Sequence, residues 1–117
     1  MIPLGFALEW QAAWNSHDLD RILAHYAADV VFRSAKAVSL VRTDCLQGQD
    51  ALRQYWAAAL SKQPNLRFDV IDVFTGADML VITYRNHKDR LAAETLRFDA
   101  AGQVVEASAC HGPERGA

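Results

Sequence analysis

Long apolar runs are missing from this chain of 117 residues: none approaches the roughly eighteen consecutive apolar residues that a spanning helix needs. Charge of one sign is equally scarce. Twelve Lys and Arg against fourteen Asp and Glu leave a formal net charge of −2. That balance exerts no long-range pull on phosphate backbones or anionic lipid, so neither nucleic acid nor a membrane is an expected partner. Cysteine is limited to Cys45 and Cys110, which in a chain able to bury a core read as free thiols rather than a disulfide. The histidines His17, His25, His87 and His111 share no i, i+4 spacing and no cysteine partner, so no metal site is expected. GxSxG, HExxH, GxGxxG and phosphate-loop motifs are absent too, which leaves covalent catalysis and a resident cofactor without support. The first ten residues carry one acid and no base, unlike a secretory signal, and the expected location is the cytoplasm.

What is present is apolar residue spread along the whole chain, at 51% of positions, enough for one core in one domain of this length. Phe6, Trp10 and Trp14 recur every four positions and predict a helix with a buried aromatic stripe. Asp18 or Ser16 is a suitable N-cap for a short second helix over Leu19–Tyr26. Val30-Val31-Phe32 predicts a strand running into an irregular stretch, Ser34 to Leu46. Leu52, Tyr55, Trp56 and Leu60 predict a third helix over Asp50–Leu60, ended by Pro64 and Asn65.

From there on strands are expected at Leu66–Phe74, Met79–Asn86, Arg90–Phe98 and Val104–His111, joined by three hairpin turns. Helices first and a meander afterwards predict an α+β domain over residues 1–111, its helices on one face of a curved antiparallel sheet, with residues 112–117 as a frayed tail. On the other face Val81, Thr83, Val104 and Cys110 are still partly apolar. A homodimer through that face is the expected partner arrangement.

Strand parity sorts side chains without knowledge of the fold. Ala92, Glu94, Leu96 and Phe98 share one side, so Glu94 stands on an apolar face. A four-residue loop at Asp99–Gly102 would set Phe98 opposite Gln103, Leu96 opposite Val105 and Glu94 opposite Ala107. Val105, Ala107 and Ala109 would then face inward, and the two small alanines leave room for a cavity beside Glu94. A carboxylate there loses hydration, its pKa rises, and it becomes a candidate general acid or base. The alternative is a structural carboxylate paired with Arg90, Arg85 or a helix residue. Asp72, between Val70 and Phe74, carries a weaker version of the same case, and His111 falls on the parity of Ala107 at the expected cavity mouth. Trp10, Trp14, Tyr26, Phe32, Ser34, Trp56 and Tyr84 complete the candidate lining for a small apolar molecule, although aromatics at helical spacing are more often core.

The run Trp10 to Phe32 contains Asn15-Ser-His-Asp-Leu-Asp20 and Tyr26-Ala-Ala-Asp-Val-Val-Phe32. It resembles the opening of the nuclear transport factor 2-like superfamily, in its SnoaL-like branch, and the likeness continues in Gly48–Trp56 and Leu96–Val105. The resemblance implies three helices, a bent sheet, a conical pocket for small lipophilic molecules and frequent dimers, in a family of isomerases, cyclases, hydrolases, dehydratases and non-enzymes. By the same resemblance Glu94 falls where ketosteroid isomerases carry a protonated aspartic acid. Trp10 stands for their hydrogen-bonding tyrosine, Ser34 for the catalytic aspartate and Trp56 for a supporting tyrosine, with Tyr26 retained. A serine hydroxyl cannot abstract a carbon-bound proton as a carboxylate does, which argues against steroid isomerisation by that route.

Overall fold

A computed structural model describes residues 3–113. The first helix, α1 (Pro3–Ser16), begins on a proline, whose missing N–H costs nothing at the first helical position. It buries Ala7, Trp10, Ala13 and Trp14, and the two alanines let it lie close to the sheet beneath. His17 at φ 61° ends it, and the His17 ring nitrogen Nε2 lies 2.8 Å from the Leu66 carbonyl oxygen. Asp18 caps α2 (Leu19–Leu23), its carboxylate accepting from the Asp20 and Arg21 N–H groups.

The second helix stops three residues short of the expected end, because Tyr26 already belongs to strand β1 (Tyr26–Ser34). Tyr26 pairs with Val104, and its carbonyl accepts from the Gln49 side chain at 2.6 Å. Sheet pairing at that point outweighs a locally helical spacing, as tertiary contacts often do. The stretch expected to be irregular is also more ordered than its composition indicates. A 3₁₀ turn (Ala35–Ala37) and α3 (Val38–Val41) lead to a short strand, β2 (Cys45–Gln47). Gly48, at φ 84° and with its N–H on the Val30 carbonyl, opens α4 (Gln49–Lys62), which buries Leu52, Tyr55, Trp56 and Leu60.

The meander follows as β3 (Phe68–Gly76), β4 (Met79–Asn86), β5 (Leu91–Phe98) and β6 (Val104–His111). Strand order in the six-stranded sheet is β2-β1-β6-β5-β4-β3. All neighbours are antiparallel except β1 and β6, a parallel pair made possible because the whole meander separates them in sequence. The architecture is an α+β cone, the helices packed on the inner face of a bent, unclosed sheet.

Two bulges correct the parity argument. Between Val70 and Asp72 the register of β3 slips, so Val70 pairs with the buried Tyr84 whereas Asp72 pairs with Thr83 on the outside. In β6 Val105 is the extra residue: Phe98 faces Val104, Arg97 faces Glu106, Leu96 faces Ala107 and Glu94 faces Ala109. The shift is two residues from the expected pairing, so Ala107 and Ala109 keep their inward direction. Val104, expected on the outer face, is fully buried instead. A bulge inserts one residue into one strand and reverses parity beyond it, leaving no mark in a hydrophobic pattern. At the other end, Gly112 is not frayed, since its N–H donates to the Leu91 carbonyl at 2.8 Å; residues 114–117 of the expected tail lie outside the described residues.

Candidate functional site

Glu94 stands at the middle of β5 between Ile82 on β4 and Ala109 on β6, and it is only 6% exposed. It and Ser34 are the buried polar or charged side chains among the described residues. Burial disfavours the ionised carboxylate and pushes its pKa up to about 8, while a hydrogen bond from the Tyr84 hydroxyl to Oε1, at 3.2 Å, works in the opposite direction and is outweighed. The same burial, with the neighbouring Glu94 charge, drives the Tyr84 and Tyr26 hydroxyls far above the ordinary phenol range. Both stay protonated, and the Tyr84 hydroxyl donates to Oε1 of the carboxyl. At neutral pH Glu94 is therefore mostly a carboxylic acid, with Oε1 engaged by Tyr84.

Beside it lies a cavity of about 80 Å³. Of the residues expected there, Trp14, Phe32, Ser34, Trp56, Tyr84, Glu94 and His111 line it. Trp10, Tyr26 and Ala107 do not; they form a layer behind the wall. Trp10 stacks on Phe68 at 5.5 Å and meets Tyr84 edge-on at 5.2 Å, and Tyr26 meets Trp56 at 5.1 Å. The Trp10 indole N–H and the Tyr26 hydroxyl lie near one another without closing a well-formed hydrogen bond. Asp72 is exposed on the opposite face of the sheet and has no place at the cavity, the bulge at Ile71 being the cause.

Tyr55, on the inner face of the predicted third helix, and Ala109, expected inward beside Glu94, also line the cavity; sequence reasoning missed Phe68 in the wall, and Lys36, Gln63, Asn86 and His87 around it. The helical spacing of α4 already carried Tyr55, and the two-residue shift in β6 brought Ala109 rather than Ala107 beside the acid. Lys36 and His87 sit in a 3₁₀ turn and in the β4–β5 turn, where no periodicity reports direction. The Ser34 hydroxyl is buried, lies near that of Tyr55 and lacks a partner. At the outer end His111 is exposed as a residue but its ring is partly covered, and that partial burial, followed by the positive charges of Lys36 and Arg90, holds the imidazole down to about 4. Burial, Lys88 and Lys36 lower His87 as well. Both rings are neutral at pH 7. Among the described residues no group of three or more His, Cys, Asp or Glu side chains is placed to hold a metal ion.

The chain belongs to the SnoaL-like domain family, whose sequence model matches residues 7–111. A SnoaL-like protein of unknown function from Burkholderia thailandensis E264 is 38% identical over 95% of each chain, with a TM-score of 0.89. A candidate isomerase of the SnoaL-like family from Agrobacterium tumefaciens C58 shares 16% identity over 95% of this chain and 97% of its own, with a TM-score of 0.76. AclR, a candidate hydroxylase from Streptomyces galilaeus, shares 21% over 94% and 88%, with a TM-score of 0.73. At the identities of these last two the likeness is one of fold and not of reaction. No curated protein matches the chain.

Proposed function

We propose that this SnoaL-like chain binds a small, mostly apolar molecule in the cavity beside Glu94 and uses that residue as the acid or base of an isomerase-, cyclase- or hydrolase-type reaction. The observation that carries this reading is a buried carboxyl, pushed up to about 8, on the wall of a cavity otherwise built largely from aromatic rings. Below pH 8 the group donates a proton to a carbonyl, epoxide or leaving oxygen; above it, the carboxylate accepts one. Tyr84 fixes the carboxyl through Oε1, which leaves the second oxygen for the substrate.

One observation favours a second reading, a non-catalytic binding or dimerisation module whose residual pocket is filled by its own tryptophans and which no member of a small-molecule panel stabilises. Trp14 and Trp56 fill much of the interior, their rings 4.8 Å apart, and only about 80 Å³ remains. Thermal unfolding against a panel of small neutral aromatics and cyclic ketones separates the readings. A true ligand at 100 times its Kd adds about 2.7 kcal/mol, and the catalytic reading further expects Glu94→Gln to abolish turnover of that ligand while the protein stays folded. Turnover unchanged in Glu94→Gln ends the role of Glu94; a panel without any shift ends the pocket reading.

The outer sheet face supports a homodimer as part of the same proposal. Ile71 and Phe74 are 47% and 58% exposed there, next to the row Thr83, Ala93 and Cys110 that runs across β4, β5 and β6. Apolar area of that kind favours a covering partner, and a two-fold pairing of identical copies is the commonest way to supply one. Sedimentation should give a dimer that Ile71→Lys converts to monomer. A monomer in the unaltered protein at high micromolar concentration removes the idea.

A further inference from the structure

The chemistry proposed for Glu94 uses one end of a row of side chains that crosses three strands. Ala109 on β6 pairs with Glu94 on β5 and, on its other flank, with Ser34 on β1. All three line the cavity. The outer two are polar and buried, Ser34 at 3% and Glu94 at 6% exposure, and between them the sheet carries only the Ala109 methyl. The floor of the cavity is thus a short trough with a polar group at each end. Both ends keep hydrogen-bonding capacity that the protein leaves unused. Tyr84, on the β4 side of Glu94, donates to Oε1, and among the described residues no group accepts the proton that burial keeps on the carboxyl at neutral pH. The Ser34 hydroxyl is unpartnered. The Tyr55 hydroxyl lies near it and stays protonated, so a Ser34 oxygen that accepts from Tyr55 has its own hydrogen to give. In the same wall the Trp14 indole N–H is buried without a partner too. Unmatched buried donors cost stability, and beside a cavity they point to a molecule within it, water or ligand, that completes them.

Spacing, charge and size define what fits the trough. Neighbouring strands lie about 4.8 Å apart, so the Cα atoms of Ser34 and Glu94, two strands from one another, are roughly 10 Å apart. A hydrogen bond of about 2.8 Å at each end leaves roughly 5 Å between two acceptor oxygens. Carbonyl oxygens on opposite sides of a six-membered ring span such a gap, whereas a single carbonyl reaches one end only. Neither Ser34 nor the protonated Glu94 carries a charge at neutral pH, so an ionised group seated between them would give up its hydration without a counter-charge. The matching group is neutral. A cavity of about 80 Å³ is far below the ~300 Å³ at which pockets for drug-sized ligands begin, so only a compact end of the ligand rests on Ala109, among the rings of Trp14, Trp56 and Phe68.

We propose that the buried end of the ligand is a neutral cyclic 1,4-dicarbonyl whose two oxygens bridge Glu94 and Ser34 above Ala109, and that Ser34 selects it over a ring with one carbonyl. This rests on the reading of the cavity as a ligand site and narrows the class of ligand.

Titration of the whole chain with cyclohexane-1,4-dione and with cyclohexanone, the same ring with one oxygen fewer, tests it, read from the indole N–H resonances of Trp14 and Trp56 on the cavity wall. At pH 7 the dione should bind about five- to tenfold more tightly, the gain from one more hydrogen bond between neutral groups. In Ser34→Ala the preference should fall to within about twofold while cyclohexanone binds as before. Removal of an unpartnered hydroxyl should leave the melting temperature no lower; a marked fall would make the hydroxyl structural and overturn its assignment to the ligand. Ala109→Leu, which fills the trough, should abolish binding of both compounds, and binding that survives it lies elsewhere and overturns the proposal. So does a dione preference that persists in Ser34→Ala. Equal binding of dione and ketone, both lost in Ala109→Leu, overturns the dicarbonyl assignment and leaves the pocket standing. Binding of neither compound overturns the assignment together with the use of this cavity for such molecules.

Discussion

Trp56→Ala should destabilise the protein by about 3–5 kcal/mol, the range for removing a large buried aromatic side chain. Trp56 is 3% exposed and joins two helices to the sheet: its ring meets Trp14 of α1 at 4.8 Å, Tyr26 at 5.1 Å and Phe32 at 5.5 Å, the last two on β1. Each edge-to-face pair adds about 0.5–1.5 kcal/mol beyond the area it covers. The void left by the indole would merge with the existing cavity, so the neighbouring rings cannot close it without giving up contacts of their own. Against a total stability of about 5–15 kcal/mol, the melting temperature should fall by roughly 12–25 °C. Leu8→Ala is the matched control, because Leu8 is 49% exposed on α1 and its loss should change stability by no more than about 0.5 kcal/mol. Chemical denaturation of both variants would measure the difference. A cost below about 1 kcal/mol for Trp56→Ala would show that the aromatic cluster is not what binds α4 to the sheet.

The same cluster shows how far a one-dimensional pattern reaches. The aromatic stripe of α1 and the inner face of α4 were legible because a helix repeats its direction every three to four residues, and both helices run unbroken for 14 residues. The inward direction of Glu94 was legible for an equally local reason: β5 pairs without a slip from Leu91 to Arg97, so alternation holds along it. Asp72 lies on a strand that carries a bulge one residue earlier, and the same rule sends it to the wrong face. Val104 fails in the same way. Tyr26 could not be assigned from its own neighbourhood, since Leu19, Ile22, Leu23 and Tyr26 fit a helical face as well as Tyr26, Val30 and Phe32 fit a strand with one irregularity. Only pairing with Val104, almost eighty residues on, decides between them. The rim of the cavity was the least legible part, because Lys36 and His87 come from turns whose approach is set by the sheet's closure on the helices and not by any spacing.

Glu94 should also make the folded state lose stability as the pH rises from about 6.5 to 8. Its carboxyl titrates at about 8 when folded and at 4.5 as an isolated group. Between those values the folded chain holds a proton that the unfolded chain has released, so the contribution is complete below pH 4.5 and is lost as the pH rises through 8. The slope for one proton is about 1.4 kcal/mol per pH unit. His111 acts in the opposite sense, because its folded value near 4 lies below the ordinary 6.5, so its contribution is present above 6.5 and is lost as the pH falls through 4. His87, also lowered, reinforces that trend. The two tendencies offset one another between pH 4.5 and 6.5, with the histidine part reduced by solvent screening because His111 is exposed. Above 6.5 the histidines no longer differ between the two states and Glu94 acts alone, for a loss of about 2 kcal/mol by pH 8. Glu94→Gln keeps the shape and the hydrogen bond from Tyr84 while removing the proton, so its stability should be flat across that interval and should exceed that of the unaltered protein at pH 9. Urea unfolding of both proteins at half-unit steps from pH 6 to 9 reads this directly. Parallel pH profiles would mean that the carboxyl ionises near its ordinary value, and an acid of ordinary strength on that wall would already be a carboxylate at neutral pH, unable to donate the proton that the proposed chemistry assigns to it.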